Sequence, residues 1–211
     1  MAFRQRRRLP VAGHLLCGLL VATVLTAADW PQLWGPERLG TVAEPELLAA
    51  WSEGKPTVVW HRPIGFGYSA ITAVGNRLYT MDADQSQENV LCLEAETGRT
   101  LWKVDVGDFV QAELGDGGPR STPTVDGGVV FAATSQSRLL ALGAEDGASH
   151  WEVDLTEFGP VPRFGYAVSP LVDEGVVIVE VGDAEKSPGI VAFDKKTGEL
   201  GWSILELSLI H

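Results

Sequence analysis

The chain has 211 residues, of which 45% are hydrophobic, and it carries a formal net charge of −12. This length and composition fit a single globular unit with a sizeable core and exclude an intrinsically disordered protein. The acidic balance excludes nucleic acid as a partner, because binding to phosphate backbones requires basic patches.

The first 28 residues predict an export signal. Four arginines precede an apolar run from Val11 to Ala27, and small residues lead to Ala28. This order is typical of a secretory signal peptide cleaved after Ala28, and a retained N-terminal anchor is the alternative. Without residues 1–28 the chain keeps 12 basic and 28 acidic residues, which gives a net charge of about −16. We expect a periplasmic or secreted protein with no membrane span after cleavage.

An irregular lead-in is predicted over residues 29–59, because seven prolines and glycines interrupt it. One short helical turn is expected at residues 46–51. Cys92 is the only cysteine after the signal, so no intramolecular disulfide is possible. The neighbouring apolar residues indicate that Cys92 is a small buried hydrophobe.

From Trp60 onward, one ten-residue pattern occurs three times. Each copy has an apolar strand end, a polar turn, a glycine, three variable residues and a tryptophan, which is Trp102, Trp151 or Trp202. Counted from Trp60, successive tryptophans are 42, 49 and 51 residues apart. Periods of about 40 to 50 residues that contain several short strands are typical of propeller blades.

Each period contains four predicted strands. The first two form a hairpin with glycine or asparagine in its turn. These hairpins cover residues 72–79, 123–130 and 170–177, the third strands cover residues 89–93, 138–142 and 189–193, and the fourth strands begin at the tryptophans. We therefore predict an all-β propeller of four-stranded antiparallel blades, at about residues 60–106, 107–155 and 156–207. Three blades cannot close a ring, so the chain is interpreted as a fragment.

These repeats resemble the PQQ-like β-propeller repeat family over residues 29–202. The resemblance rests on the three glycine–tryptophan turns, on Asp29-Trp-Pro-Gln-Leu-Trp-Gly-Pro36 and on Gly118-Pro-Arg-Ser-Thr-Pro123. It implies a ring of commonly eight blades. Members of the family include the propeller lipoprotein of the outer-membrane β-barrel assembly machinery and the quinoprotein alcohol dehydrogenases. The fold does not decide between these functions.

The resemblance also implies that the repeated tryptophan docks one blade onto the next. A buried ring of about 200 Å² at each joint contributes several kcal/mol. We expect this role for Trp102, Trp151 and Trp202 because they occur in every repeat, whereas a cofactor needs a stacking platform once. Stacking of one of these rings on a ligand is the alternative.

Candidate binding residues precede the first strand of each blade. They are Tyr68, Arg120, Ser121, Arg163 and Tyr166. In the family the corresponding segments approach the central channel and one face, which implies a polar binding funnel. An arginine there could hold a carboxylate through two hydrogen bonds. The alternative is that these side chains cap strand ends and pair with neighbouring acids.

No catalytic or metal-binding set is predicted. Residues 82–88 resemble a calcium loop, but Gln87 and Leu93 occupy the positions where an EF-hand needs glycine and a bidentate glutamate. The histidines and Cys92 are too far apart in the sequence for a zinc site, and a serine-hydrolase elbow is absent. No cofactor is evident, since the vicinal cysteine pair and the aspartate base of the quinoprotein dehydrogenases have no counterpart.

The predicted function is therefore an exported, non-catalytic propeller module that binds a protein or glycan partner. The alternative is the N-terminal part of a PQQ-dependent quinoprotein alcohol dehydrogenase, in which further blades hold the residues for PQQ and calcium. A third hypothesis is assembly of envelope proteins by strand addition.

Overall fold

A computed structural model describes residues 28–41, 56–109, 111, 117–162, 165–183 and 186–205. The signal segment, the predicted helical turn at residues 46–51 and the candidate Arg163 lie outside these ranges. Within them, no helix is long and apolar enough to cross a membrane.

The described residues form three antiparallel sheets of four consecutive strands. The first blade contains β1 (Thr72–Val74), β2 (Arg77–Ala83), β3 (Gln87–Glu94) and β4 (Thr100–Asp108). The second contains β5 (Thr124–Asp126), β6 (Val129–Ala133), β7 (Arg138–Gly143) and β8 (Ser149–Asp154), followed by a 3₁₀ turn at Leu155–Phe158. The third contains β9 (Leu171–Asp173), β10 (Val176–Asp183), β11 (Lys186–Asp194) and β12 (Leu200–Leu205). The prediction of an all-β fold with three four-stranded propeller blades is confirmed.

The hydrophobic core lies between the blades. Because side chains alternate along a strand, Val130 and Ala132 of β6 pack against the first blade, whereas Phe131 and Ala133 pack against the third. The middle sheet is therefore covered on both faces. Cys92 is fully buried in the first of these two cores.

The strand order gives each blade an inner edge and two ends. The first strands of neighbouring blades, β1, β5 and β9, contact one another and form the inner edge. The β1–β2 and β3–β4 turns and their counterparts lie at one end, which we call the turn face. The β2–β3 turns and the connections between blades lie at the other end, which we call the loop face.

The lead-in crosses the first strands of all three blades. Its backbone and Arg38 bond to main-chain groups on each strand in turn. The contacts are Trp30 with Ala73 on β1 (2.7 and 2.9 Å), the Pro31 carbonyl with the Val125 amide on β5 (2.8 Å), and Arg38 Nη2 with the Val172 carbonyl on β9 (3.2 Å). Residues 29–38 thus provide hydrogen-bond partners for main-chain groups along the inner edge of the array.

Candidate functional site

The repeated tryptophan contacts the β3–β4 turn, or its counterpart, of the following blade. Trp102 Nε1 donates to the Ala144 carbonyl at 3.1 Å, and Trp151 Nε1 donates to the Lys195 carbonyl at 3.1 Å. The indole ring also lies over the glycine of that turn. A Cβ on Gly147, which has a φ of 73°, would lie 2.9 Å from Trp102 Cε3. Each joint therefore pairs one tryptophan with one glycine.

Trp60 makes the same joint with the first blade, which sequence reasoning had not anticipated. Its Nε1 donates to the Ala95 carbonyl at 2.8 Å, and a Cβ on Gly98 would lie 2.5 Å from its ring. The position of Trp60 one period before Trp102 was the available signal. Trp202 differs, because 42% of it is exposed on β12 and no described blade lies against it.

A second link joins the blades at the inner edge. The Ala70 amide donates to Thr122 Oγ1 at 3.0 Å, and the Thr122 amide donates to Ser169 Oγ at 2.9 Å. A hydroxyl two residues before β5 and another two residues before β9 thus each accept a bond from the preceding blade. The hydroxyl residues before β5 and β9 were the sequence signal for this link.

The candidate Ser121 lies in the inner wall. It is completely buried, and its Oγ has no hydrogen-bond partner among the described residues. The corresponding Ser69 Oγ accepts a bond from the Met81 amide at 3.2 Å. A binding role for Ser121 stays a prediction.

The structure brings Tyr68 and Arg120 together on the loop face. The guanidinium carbon of Arg120 lies 4.7 Å from the centre of the Tyr68 ring, as in a cation–π pair. The two segments are joined by a bond from the Tyr68 amide to the Pro119 carbonyl at 2.8 Å. Tyr68 is 53% exposed.

Ile64, Phe66 and Tyr68 stand at alternate positions of one segment, and all three are exposed. We group them with Phe109 and Arg120 as the aromatic patch. The Phe66 and Phe109 rings are 6.1 Å apart in a tilted arrangement. Phe66 is fixed by two backbone bonds of 2.7 Å with Ala83 at the end of β2. An exposed group of aromatic residues with an arginine is typical of protein-binding surfaces.

Tyr166 lies in the core between the second and third blades, not in an exposed funnel. It is 2% exposed, its amide donates to the Ser135 carbonyl at 3.1 Å, and its hydroxyl donates to the Glu180 carbonyl. Burial raises the pKa of this hydroxyl above its ordinary value. The ring therefore packs the joint between blades, and the surface of the loop face does not include it.

Glu88 is a buried acid that sequence reasoning missed. It lies on β3 and is completely buried. Its carboxylate accepts a bond from the Ser135 amide at 3.0 Å and another from the Ser135 hydroxyl, so it links the first blade to the second. Burial raises the pKa of Glu88, and the bonds from Ser135 oppose this shift.

Asp84 forms its hydrogen bonds within the predicted hairpin loop at residues 82–88. Asp84 Oδ1 accepts bonds from the Ser86 amide (2.8 Å), the Ser86 hydroxyl (2.6 Å) and the Gln87 amide (2.9 Å). Hydrogen bonds from Ser86 and Gln87 lower the pKa of Asp84 to about 2. Within the described part of the chain, no three His, Cys, Asp or Glu side chains converge to hold a cation.

Residues 86–209 match the family described as outer membrane protein assembly factor BamB. Over 160 residues the chain is 30% identical to the outer membrane protein assembly factor BamB of Burkholderia pseudomallei (strain K96243). The match covers 72% of this chain and 35% of that protein. The chain thus spans about a third of the length of this curated relative.

Two solved enzymes share the architecture. The quinohemoprotein alcohol dehydrogenase from Comamonas testosteroni is 22% identical with a TM-score of 0.64, over 84% of this chain and 27% of the enzyme. A europium-containing methanol dehydrogenase is 20% identical with a TM-score of 0.54, over 68% of this chain and 25% of the enzyme. At these identities the likeness shows the fold alone.

Proposed function

Because the chain belongs to the BamB family of PQQ-like propeller proteins, we propose that it is an exported, non-catalytic module that binds a protein partner. The observation that carries this proposal is the aromatic patch on the loop face. The name of the curated relative supplies the class of partner, a protein that takes part in outer membrane protein assembly. The proposal includes export by the signal predicted in residues 1–28, and hence a periplasmic or secreted location.

The patch has the composition of an interface core. Phe66 and Tyr68 expose about half of their surfaces, at 46% and 53%, and Arg120 lies against the Tyr68 ring. Aromatic residues and arginine are enriched in the residues that carry most of the binding energy of protein interfaces. A partner that covers these rings would gain apolar burial, and a carboxylate on it could bond to Arg120.

Backbone bonds hold the patch in place before binding. The Phe66 segment is bonded to β2, and the Tyr68 segment is bonded to the connection between the first two blades. A Cβ on Gly118 would lie 3.0 Å from the Phe66 carbonyl oxygen, so the two segments touch. Little conformational entropy is then lost on binding, which favours affinity.

A photo-crosslinking amino acid in place of Ile64 tests the proposal in the native host, with the same replacement at Leu200 on β12 as a comparison. We expect the probe at position 64 to form an adduct that mass spectrometry identifies as an outer membrane protein or a component of its assembly. Tyr68→Ala and Arg120→Ala should reduce this adduct about tenfold. Arg99→Ala, an exposed arginine on the turn face, is the matched control and should leave it unchanged.

Two outcomes would contradict a binding role for the loop face. One is an adduct at position 64 that survives both Tyr68→Ala and Arg120→Ala. The other is an equally strong adduct at position 200. Quinone-dependent alcohol oxidation by the purified protein with added PQQ and calcium would instead favour the dehydrogenase alternative.

A further inference from the structure

A cavity of about 360 Å³ lies at the inner edge, between the lead-in and the inner-edge residues of the second and third blades. Gln32, Leu33, Trp34 and Arg38 of the lead-in form one side, and Thr124 with residues 167–171 forms the other. No residue of the aromatic patch lines it. Its volume falls in the range of small-molecule sites, which are mostly apolar with a few polar groups.

Two lead-in residues at this cavity have strained backbones. Trp34 has a φ of 66° and Arg38 a φ of 55°. Such values are rare for residues other than glycine, because the side chain then crowds the backbone. Strain of this kind is concentrated at functional sites, where it holds side chains in required positions. Here it accompanies an indole ring that is 63% exposed beside the cavity.

Arg38 is the charged residue that lines the cavity, and two hydrogen bonds fix its side chain. Its Nε donates to Gln32 Oε1 at 3.0 Å, and its Nη2 donates to the Val172 carbonyl at 3.2 Å. Among the described residues, Arg38 Nη1 has no hydrogen-bond partner. Every other lining residue is uncharged, so the cavity presents one guanidinium in a strongly acidic protein. This charge selects an anion, and a guanidinium forms strong charge-assisted hydrogen bonds with a carboxylate.

We propose that this cavity binds an acidic sugar, with the pyranose ring on the face of Trp34 and the carboxylate on Arg38. The apolar C–H face of the sugar would cover the indole. The sugar hydroxyls would bond to Ser169 and Thr124. Ser169 Oγ accepts a hydrogen bond from the Thr122 amide and can still donate its own proton. Thr124 Oγ1 donates to the Pro170 carbonyl and can still accept a hydrogen bond. A flat aromatic acid would shield these polar groups without bonding to them, which costs affinity. A sugar acid is therefore the better match.

Isothermal titration of the purified chain with glucuronate tests this site, with glucose and benzoate as comparison ligands. We expect glucuronate to bind, and glucose to bind about tenfold more weakly because it lacks the charge-assisted bond to Arg38. Benzoate should also bind more weakly than glucuronate. Trp34→Ala should weaken glucuronate binding about tenfold. Leu39→Ala changes an exposed apolar residue that does not line the cavity, and it should have no effect.

The ligand series uses the wild-type protein, so its result does not depend on whether a variant folds. Thermal unfolding of each variant shows whether that variant is folded. Absence of glucuronate binding, equal affinity for glucose, or tighter binding of benzoate would each overturn the assignment. Equal effects of Trp34→Ala and Leu39→Ala would overturn the location. Because the aromatic patch does not line this cavity, loss of protein binding through Tyr68→Ala leaves the result unaffected.

Discussion

Replacement of Gly147 by alanine tests whether the tryptophan–glycine joint holds neighbouring blades together. Gly147 lies in the turn after β7, with a φ of 73°, beneath the ring of Trp102. A new methyl group would lie 2.8 Å from Val104 Cγ2 and 2.9 Å from Trp102 Cε3. Carbon atoms pack best at about 3.5 to 4.0 Å, so the indole has to move away and its bond to the Ala144 carbonyl has to lengthen.

The expected loss has two parts. The left-handed backbone costs alanine about 1 kcal/mol, and overpacking in a close-packed joint costs about 1 to 3 kcal/mol more. Gly127→Ala is the matched control. Gly127 has a φ of 55°, but nothing lies within 4 Å of its added Cβ, so it should lose only the backbone part. The difference between the two variants therefore measures the contact with the ring.

Equilibrium urea unfolding, followed by circular dichroism, measures both variants against the wild type. We expect the free energy of unfolding of Gly147→Ala to fall about 1 to 3 kcal/mol below that of Gly127→Ala, with an unchanged denaturant slope. The same experiment on Gly198→Ala, beneath Trp151, should give the same result. Equal stabilities of Gly147→Ala and Gly127→Ala would show that the ring contact does not stabilise the joint.

Three further predictions concern buried groups. Thr122→Val removes the hydroxyl acceptor of the link at the inner edge and should cost about 1 to 3 kcal/mol in urea unfolding. The adjacent Ser121→Ala removes a hydroxyl with no hydrogen-bond partner among the described residues, and it should cost less than Thr122→Val. Burial raises the pKa of Glu88 above its ordinary 4.5, so the folded protein holds this proton more tightly than the unfolded chain does. The free energy of unfolding should therefore fall as pH rises from about 4.5 through the raised pKa, by at most about 1.4 kcal/mol per pH unit. Glu88→Gln, which can still bond to Ser135, should abolish this slope in pH-dependent melting. Cys92 is buried with a raised pKa, so a thiol reagent should label it only after unfolding; rapid labelling of the native protein would contradict its buried position.

The blades could be predicted because their signals are local. A hairpin turn and a glycine–tryptophan turn are each specified within ten residues, so repetition of the pattern showed both the strands and their number. The joint of Trp60 could have been predicted in the same way, since it precedes Trp102 by one period. Trp60 was missed because it does not belong to any of the three copies of the glycine–tryptophan turn.

The candidate binding residues were harder to place because their spacing differs by one residue. Tyr68 and Arg120 each stand four residues before the first strand of their blade, whereas Tyr166 stands five residues before β9. In extended backbone, a shift of one residue turns the side chain to the opposite side. Tyr68 and Arg120 therefore meet on the loop face, and Tyr166 points into the core.

Contacts between distant segments could not be predicted from local patterns. Glu88 looks like an ordinary charged residue at the start of a strand, but it is buried and accepts hydrogen bonds from Ser135 of the next blade. The path of the lead-in across β1, β5 and β9 likewise depends on how three blades meet. The cavity beside Trp34 follows from this path and has no sequence motif of its own.

The two halves of each joint lie in one short stretch of chain, which bears on how such arrays grow. Gly147 receives the tryptophan of the preceding blade, and Trp151, four residues later, extends to Gly198 of the following one. A duplicated segment therefore carries both the glycine that receives the preceding tryptophan and the tryptophan that contacts the following glycine. It can form a joint on either side through residues it already has. Gene duplication can lengthen this array one blade at a time, while the inner edge and the loops remain open to separate selection.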